Sequence, residues 1–225
     1  MWYPIGSDRR AGLPSTGRWK LQGKPMPEKR QKRYEETRDQ LLEVAWAEFA
    51  ANGFAQTSTE NVVREAGVTR GALYYHFKDK TDMFRAVVDL AHIRILSRIE
   101  DASASAPSIT EGLRRGCLAF LDACSSPDIR QIALIDGPSV LGWAEWREID
   151  TKHGFGALRD GLTEAKRQKA LRADADPMAL AYLLSGAMNE AALALSDPEL
   201  SKTRRSNLRR SMEAALLSML AAFET

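Results

Sequence analysis

Thr57-Ser-Thr-Glu-Asn-Val-Val-Arg-Glu-Ala-Gly-Val-Thr-Arg-Gly-Ala-Leu-Tyr-Tyr-His-Phe-Lys-Asp-Lys80 holds two short helical segments about a tight turn. Thr57-Ser-Thr-Glu60 has the spacing of a capping box, with Thr57 as the cap of a helix running to about Ala66 and Glu60 reaching back to it. Gly67 stops that helix. Val68 and Thr69 turn the chain, and Thr69 is placed to cap a third helix carrying Gly71 to Phe77. Upstream, Leu41, Leu42, Ala45 and Phe49 recur on one face at helical spacing, which predicts a longer first helix from about Glu35 to Asn52, ended by Gly53. Downstream, Asp79 and Asp82 repeat the cap pattern for a fourth helix, about Lys80 to Glu100.

Two short helices joined by a Gly-containing turn and packed on a longer one make a helix-turn-helix unit. Leu73 and Phe77, four apart, can enter a small core with Val62, Val63 and Phe49. The opposite face then carries Thr69, Arg70, Gly71, Ala72, Tyr74, Tyr75 and His76. The hydroxyls of Thr69, Tyr74 and Tyr75 can bond phosphate oxygens. Arg70 can reach a phosphate or a guanine edge. Gly71 and Ala72 are small enough for the helix backbone to approach a groove. Lys80 adds a cation beside amides already favourable to an anion. The competing interpretation is a three-helix fragment of an unrelated α-protein, with its tyrosines half-buried as packing residues.

The full string resembles the DNA-binding signature of the TetR family of transcriptional regulators almost position for position, and the preceding helix with Gly53-Phe54 fits as well. The resemblance covers about residues 35–90. It implies that Thr59, Thr69, Arg70, Gly71, Tyr74, Tyr75, His76 and Lys80 match positions that touch operator DNA, with Tyr74 and His76 on phosphates. Arg70 and Ala72 match positions where base choice is made. Ala72 offers only a methyl, suited to an apolar contact such as thymine. The family also implies a helical body that dimerises and often holds a small hydrophobic or amphipathic effector, in a cytoplasmic repressor released from a palindromic operator. A body that only dimerises or contacts protein, and an activator, are the alternatives, because binding chemistry does not set the sign of regulation.

The chain has 225 residues and a net charge of +2, and its basic charge is uneven. Residues 1–33 carry nine Lys/Arg against two Asp/Glu, whereas residues 34–92 carry six against ten. A basic arm over 1–33 beside a DNA-binding unit over 34–80 can contact nucleic acid, or be a solvated tail. Prolines and glycines through this arm argue against a helix there. Cys117 and Cys124, about 10 Å apart along a helix axis at ~1.5 Å per residue, suit reduced core positions rather than a disulfide. No secretory signal is visible, and no run of about 18 apolar residues suggests a membrane span.

Ala, Leu, Glu and Arg in long periodic stretches predict an all-α protein, with residues 81–225 as a helical effector-binding and dimerisation domain. Helices are expected near Ile109–Ala123, Asp128–Asp136, Ser139–Ile149, Phe155–Lys169, Pro177–Leu195 and Glu199–Phe223. Pro177 and Pro198 each follow an Asp, as at a capped start. The last two helices carry Leu180, Leu183, Leu184, Ala187, Met188 and Ala191, and Leu208, Met212, Ala215, Leu216, Met219 and Leu220, which could form a four-helix dimer interface. They can equally cover only the monomer's core. Phe120, Trp143, Trp146, Phe155, Tyr182 and Met188 are candidates to line a pocket, with Asn189 or Glu190 as polar contacts. Aromatic and Met residues at this spacing also suit plain core. His92 and His153 lack partners at ligand spacing and read as single satisfied histidines, so no metal site, cofactor or catalytic set is expected.

Overall fold

The computed structural model describes residues 20–21, 24–25 and 27–225, and it is helical apart from short connections. A two-residue antiparallel pair, β1 (Lys20–Leu21) and β2 (Lys24–Pro25), precedes the first helix. Most of the expected basic arm lies outside the described residues. Two units divide the chain: a head that ends at Leu90 and a body over Ala91–Thr225.

The head holds α1 (Glu28–Gln56), α2 (Thr59–Glu65), α3 (Arg70–His76) and the first turns of α4 (Lys80–Ser103). The first helix starts seven residues before the expected Glu35. Pro27 is the last Pro or Gly before the helix, and Glu28-Lys-Arg-Gln-Lys-Arg33 are all good helix formers. The backbone of Arg30 and Gln31 donates to the Pro27 carbonyl, which opens the helix without a side-chain cap. Gly53 interrupts it at φ 71, where the expected stop was placed, and one further turn follows.

The capping between α1 and α2 shifts by one residue from the expected box. Ser58 caps α2, its hydroxyl accepting from the Asn61 amide at 3.1 Å. The Thr57 hydroxyl instead donates back to the carbonyls of Gly53 and Glu48, and its side chain is buried. Thr69 caps α3 as expected, accepting from Ala72 at 3.1 Å. The Asp79/Asp82 pattern also forms: Asp79 accepts from the Asp82 amide, and Asp82 accepts from that of Lys78. The turn between α2 and α3 needs φ +63 at Gly67, a backbone conformation that a Cβ would strain. Leu41, Leu42, Ala45, Phe49, Val62, Leu73, Phe77 and Phe84 are buried in the head's core. Burying the Val, Leu and Phe side chains among them contributes roughly 1.5–3 kcal/mol each. Val63, expected among them, is only half-buried.

The body comprises the rest of α4 with α5 (Ile109–Ser125), α6 (Pro127–Arg130), α7 (Gly137–Leu141), α8 (Trp143–Lys152), α9 (Gly154–Arg167), α10 (Pro177–Ala194) and α11 (Lys202–Ala221). A π-helical stretch, Gln131–Asp136, joins α6 to α7. The helical run continues through Pro138, which lies where the π-helical stretch passes into α7. The chain bends at Gly142, with φ 80. The Trp146 indole donates to the Ala133 carbonyl at 2.6 Å. Gly137 lies beneath that ring, where a Cβ would come 2.9 Å from both Trp146 Cδ1 and the Ile132 carbonyl oxygen. α9 packs on α5, α8 and α10, and α11 packs on α10 and α5. The C-terminal residues are tied to the α9–α10 connection by Arg172 donating to the Phe223 carbonyl, and to α5 by an Arg114–Glu224 ion pair at 2.6 Å. Among the described residues no helix is long and apolar enough to cross a membrane.

Candidate functional site

α3 buries Leu73, with Phe77 buried just past its end, and turns Tyr74 and Tyr75 outward at 43% and 56% exposure. Arg70 and Gly71 are exposed beside them, while Ala72 is partly covered. Gly71 has no neighbour that demands glycine: a Cβ there would meet only the Thr69 hydroxyl, at 3.9 Å. Arg70 is held but not buried. Its guanidinium lies 3.8 Å from Glu60 and 5.5 Å from the Tyr74 ring centroid. Thr59, in the first turn of α2, donates to Glu60 at 3.3 Å.

Two of the expected contact residues are more engaged with the protein than their sequence positions suggested. Lys80 stands 4.4 Å above the Phe54 ring and donates to the Ala55 carbonyl at 3.4 Å. Partial burial lowers its pKa from the usual lysine value, and it pins the kinked end of α1 to the start of α4. His76 is half-covered by Tyr34 of α1, with ring centroids 4.2 Å apart, and Tyr34 also meets Tyr75 edge-on at 5.6 Å. The Nδ1 atom of His76 is buried without a hydrogen-bond partner. Desolvation, with Arg38 second, holds its pKa below the ordinary 6.5.

The early start of α1 adds residues that the helix-turn-helix pattern does not contain. Arg30, Arg33, Tyr34 and Thr37 form one wall of an open groove, and Thr69, Gly71, Ala72, Tyr75 and His76 form the other, around a volume of about 480 Å³. Cations along one wall and hydroxyls and small residues along the other are the chemistry that a sugar-phosphate backbone requires. The excess of Lys/Arg before Tyr34 was the available signal. Its helical placement beside α3 was not legible.

The body encloses a second space, a cavity of about 50 Å³ among α4, α5, α8, α9 and α10. Of the eight pocket candidates, Phe120, Phe155 and Met188 line it. Trp143, Trp146, Tyr182, Asn189 and Glu190 do not. Trp146 is buried under the π-helix, while Trp143 and Tyr182 are 61% and 54% exposed. Helical spacing gives the elements these residues sit on but not the way each element is rotated. The lining that was missed is largely glycine and small side chains (Gly112, Gly116, Gly161, Ser185), together with Cys117 and the buried Asp150. Burial pushes the Cys117 thiol up to about 12, so it is inert as a nucleophile. Cys117 and Cys124 are both free and buried.

His92 and His153 are not isolated. Their rings stack at 6.4 Å, and His92 Nδ1 lies 3.5 Å from Asp150. Among the described residues no group of three His, Cys, Asp or Glu could hold a metal ion.

Residues 41–87 match the family described as bacterial regulatory proteins, tetR family, and residues 110–220 match the tetracyclin repressor-like C-terminal domain. A crystal structure of a TetR-family transcriptional regulator from Pectobacterium atrosepticum is 33% identical, with a TM-score of 0.71, over 86% of this chain and 97% of that one. The chain belongs to the TetR family of transcriptional regulators. Its homologues are transcriptional regulators and not enzymes. The HTH-type transcriptional regulator AcrR of Shigella flexneri is 41% identical over 70 residues, which is 31% of this TetR-family chain and 33% of AcrR. The alignment with TtgR of Pseudomonas putida, also 41% identical, spans 26% of this chain and 28% of that regulator. SmeT, the repressor of a Stenotrophomonas maltophilia multidrug efflux pump, is 26% identical with a TM-score of 0.64, over 84% of this chain and 90% of that one.

Proposed function

We propose that this regulator is a homodimeric repressor whose two α3 helices enter successive major grooves of a palindromic operator, and that a small effector bound in the body releases it. The observation that carries the reading is the outer face of α3. Arg70, Gly71, Tyr74 and Tyr75 are exposed there, and Gly71 has no neighbour that demands glycine. Thr59, Thr69, Ala72, His76 and Lys80 complete the proposed DNA contacts. A dimer suits half-sites ~34–36 Å apart. Several curated relatives carry repressor in their names, including BepR of Brucella suis.

Dimerisation is proposed through α10 and α11. Met178, Tyr182 and Leu183 of α10 and Met219 of α11 are exposed large apolar side chains in the single chain. Leu180, Leu184, Met188 and Ala191 of α10 are already buried. The helix is therefore apolar on two sides; on the second, Tyr182 leans on the Phe155 ring at 5.0 Å while Met178 and Leu183 stay exposed. Effector action is proposed through α4, which starts in the head and runs into the body, where it contributes to the cavity wall. Only a ligand that prefers the non-binding state releases DNA.

A second reading, a body that dimerises without any ligand, draws on the cavity volume. About 50 Å³ is far below the ~300 Å³ of an ordinary ligand site. Titrating labelled promoter DNA from around the protein's own gene tests the repressor reading. Specific binding is expected at moderate salt. Its absence, with the dimer intact, overturns the reading. A thermal-shift screen then separates the two versions: a compound that raises the melting temperature and releases DNA supports an effector, and release by none favours the ligand-free body.

A further inference from the structure

We propose that the Trp143–Trp146–Phe155 cluster, closed by Asp150, is a binding site for a small organic cation, and that the guanidinium of Arg147 occupies it in the ligand-free protein. The proposal rests on the reading that the body takes an effector, and names the chemical class.

The geometry is that of an aromatic cage. The Arg147 guanidinium carbon lies 4.8 Å from the Trp143 ring, 5.1 Å from Trp146 and 4.9 Å from Phe155. Each distance is within the range where a ring face attracts a cation. The same guanidinium pairs with Asp150 at 2.7 Å and reaches the Ser185 hydroxyl at 3.4 Å. Asp150, Ser185 and Phe155 also line the body cavity, so the cage and the cavity share a wall.

Arg147 does not fill this place completely. Its Nε atom is buried without a hydrogen-bond partner, which costs a desolvated donor. One wall of the cage, Trp143, is 61% exposed, so the cage can open without disturbing the core.

Charge selects the ligand. Asp150 is only 5% exposed. Its carboxylate needs a cation, because an uncompensated buried charge is strongly destabilising. A neutral ligand that displaced Arg147 would strip Asp150 of that cation. An anion would find Arg147 already taken by Asp150. An organic cation exchanges one positive charge for another, keeps Asp150 paired and gains the three rings. His92, on α4, lies 3.5 Å from the other Asp150 oxygen, so the exchange occurs beside the helix that leads to the head.

The test uses the full chain and three probes of similar size: phenyltrimethylammonium, its neutral isostere tert-butylbenzene, and benzoate. Binding is read by calorimetry and by melting temperature in the wild type, Trp143→Ala and Arg147→Ala. The cation is expected to bind the wild type at least tenfold more tightly than either other probe. Trp143→Ala, an exposed change that leaves the core intact, is expected to weaken the cation about tenfold. Arg147→Ala is expected to melt lower and to be restored by the cation but not by benzoate. Equal binding of the neutral isostere, an unchanged cation affinity in Trp143→Ala, or no cation binding to the wild type overturns the proposal. If tert-butylbenzene or benzoate binds and releases DNA, the effector reading stands and the cage falls.

Discussion

The ring of Tyr34, in the second turn of α1, stands 4.2 Å from the imidazole of His76 at the end of α3. The contact keeps His76 partly desolvated, and Arg38 adds like charge; both favour the neutral ring. A histidine whose folded pKa lies below 6.5 stabilises the fold above that pH, and the contribution is lost as pH falls below it. A phosphate against the same ring acts in the opposite direction, because it favours the cation. The melting temperature of the free protein should therefore drop between pH 7 and 5.5, while DNA affinity at constant salt should rise over the same interval. His76→Gln should flatten both trends. A wild-type affinity that is level across this range would place His76 away from phosphate.

Arg30 and Arg33 face α3 across the groove, on the stretch of α1 that also places Tyr34 against it. Backbone contacts give affinity without sequence preference and appear in the salt dependence. Each phosphate contact removed should lower the slope of log affinity against log salt by about 0.9. For Arg30→Ala with Arg33→Ala in a dimer, the expected drop is about 3 to 4, equal on specific and random DNA. Fluorescence anisotropy at several salt concentrations measures it. An unchanged slope would leave the groove as surface only.

Arg70 is already aimed by Glu60 on one side and the Tyr74 ring on the other. Pairs as exposed as this one contribute little to stability. Arg70→Ala should thus leave the melting temperature unchanged and cost ~1–3 kcal/mol of discrimination between the best operator and its variants. Tyr74→Phe should weaken all sequences alike, by about 0.5–1.5 kcal/mol for one lost hydrogen bond. Equal losses on every sequence for Arg70→Ala would confine it to the backbone.

What the sequence revealed of this molecule follows from the range of the interactions. Thr69 capping α3, Gly67 in the turn and the Asp79/Asp82 box join residues a few positions apart, and each formed as expected. The exception, Ser58 in place of Thr57, arose because Thr57 turns its hydroxyl back to the Gly53 and Glu48 carbonyls and leaves the cap to its neighbour. The Arg147–Asp150–His92 cluster was not legible, because it joins α8 to α4 by contacts between distant parts of the chain. The same holds for the groove beside α3, which depends on how α1 packs across the head. The π-helix over Gln131–Asp136 was read as part of an ordinary helix, since its one-residue widening leaves no mark on apolar spacing.

Gly186 occupies the middle of α10, where glycine costs ~1 kcal/mol relative to alanine. It is exposed, and a Cβ there would meet nothing within 4 Å in the single chain. Its neighbours on the same face, Tyr182 and Leu183, are more than half exposed. A small residue within an exposed apolar face suits the close crossing of two symmetry-related helices, where a side chain would hold the backbones apart. Gly186→Leu should therefore fold at least as stably as the wild type at the level of the single chain, yet dissociate. Light scattering should give the mass of one chain at concentrations where the wild type is a dimer. DNA affinity should fall by far more than any change in the head would produce, because the two α3 helices lose their fixed spacing. A Gly186→Leu protein that keeps the dimer mass and binds DNA normally would move the interface away from this face of α10.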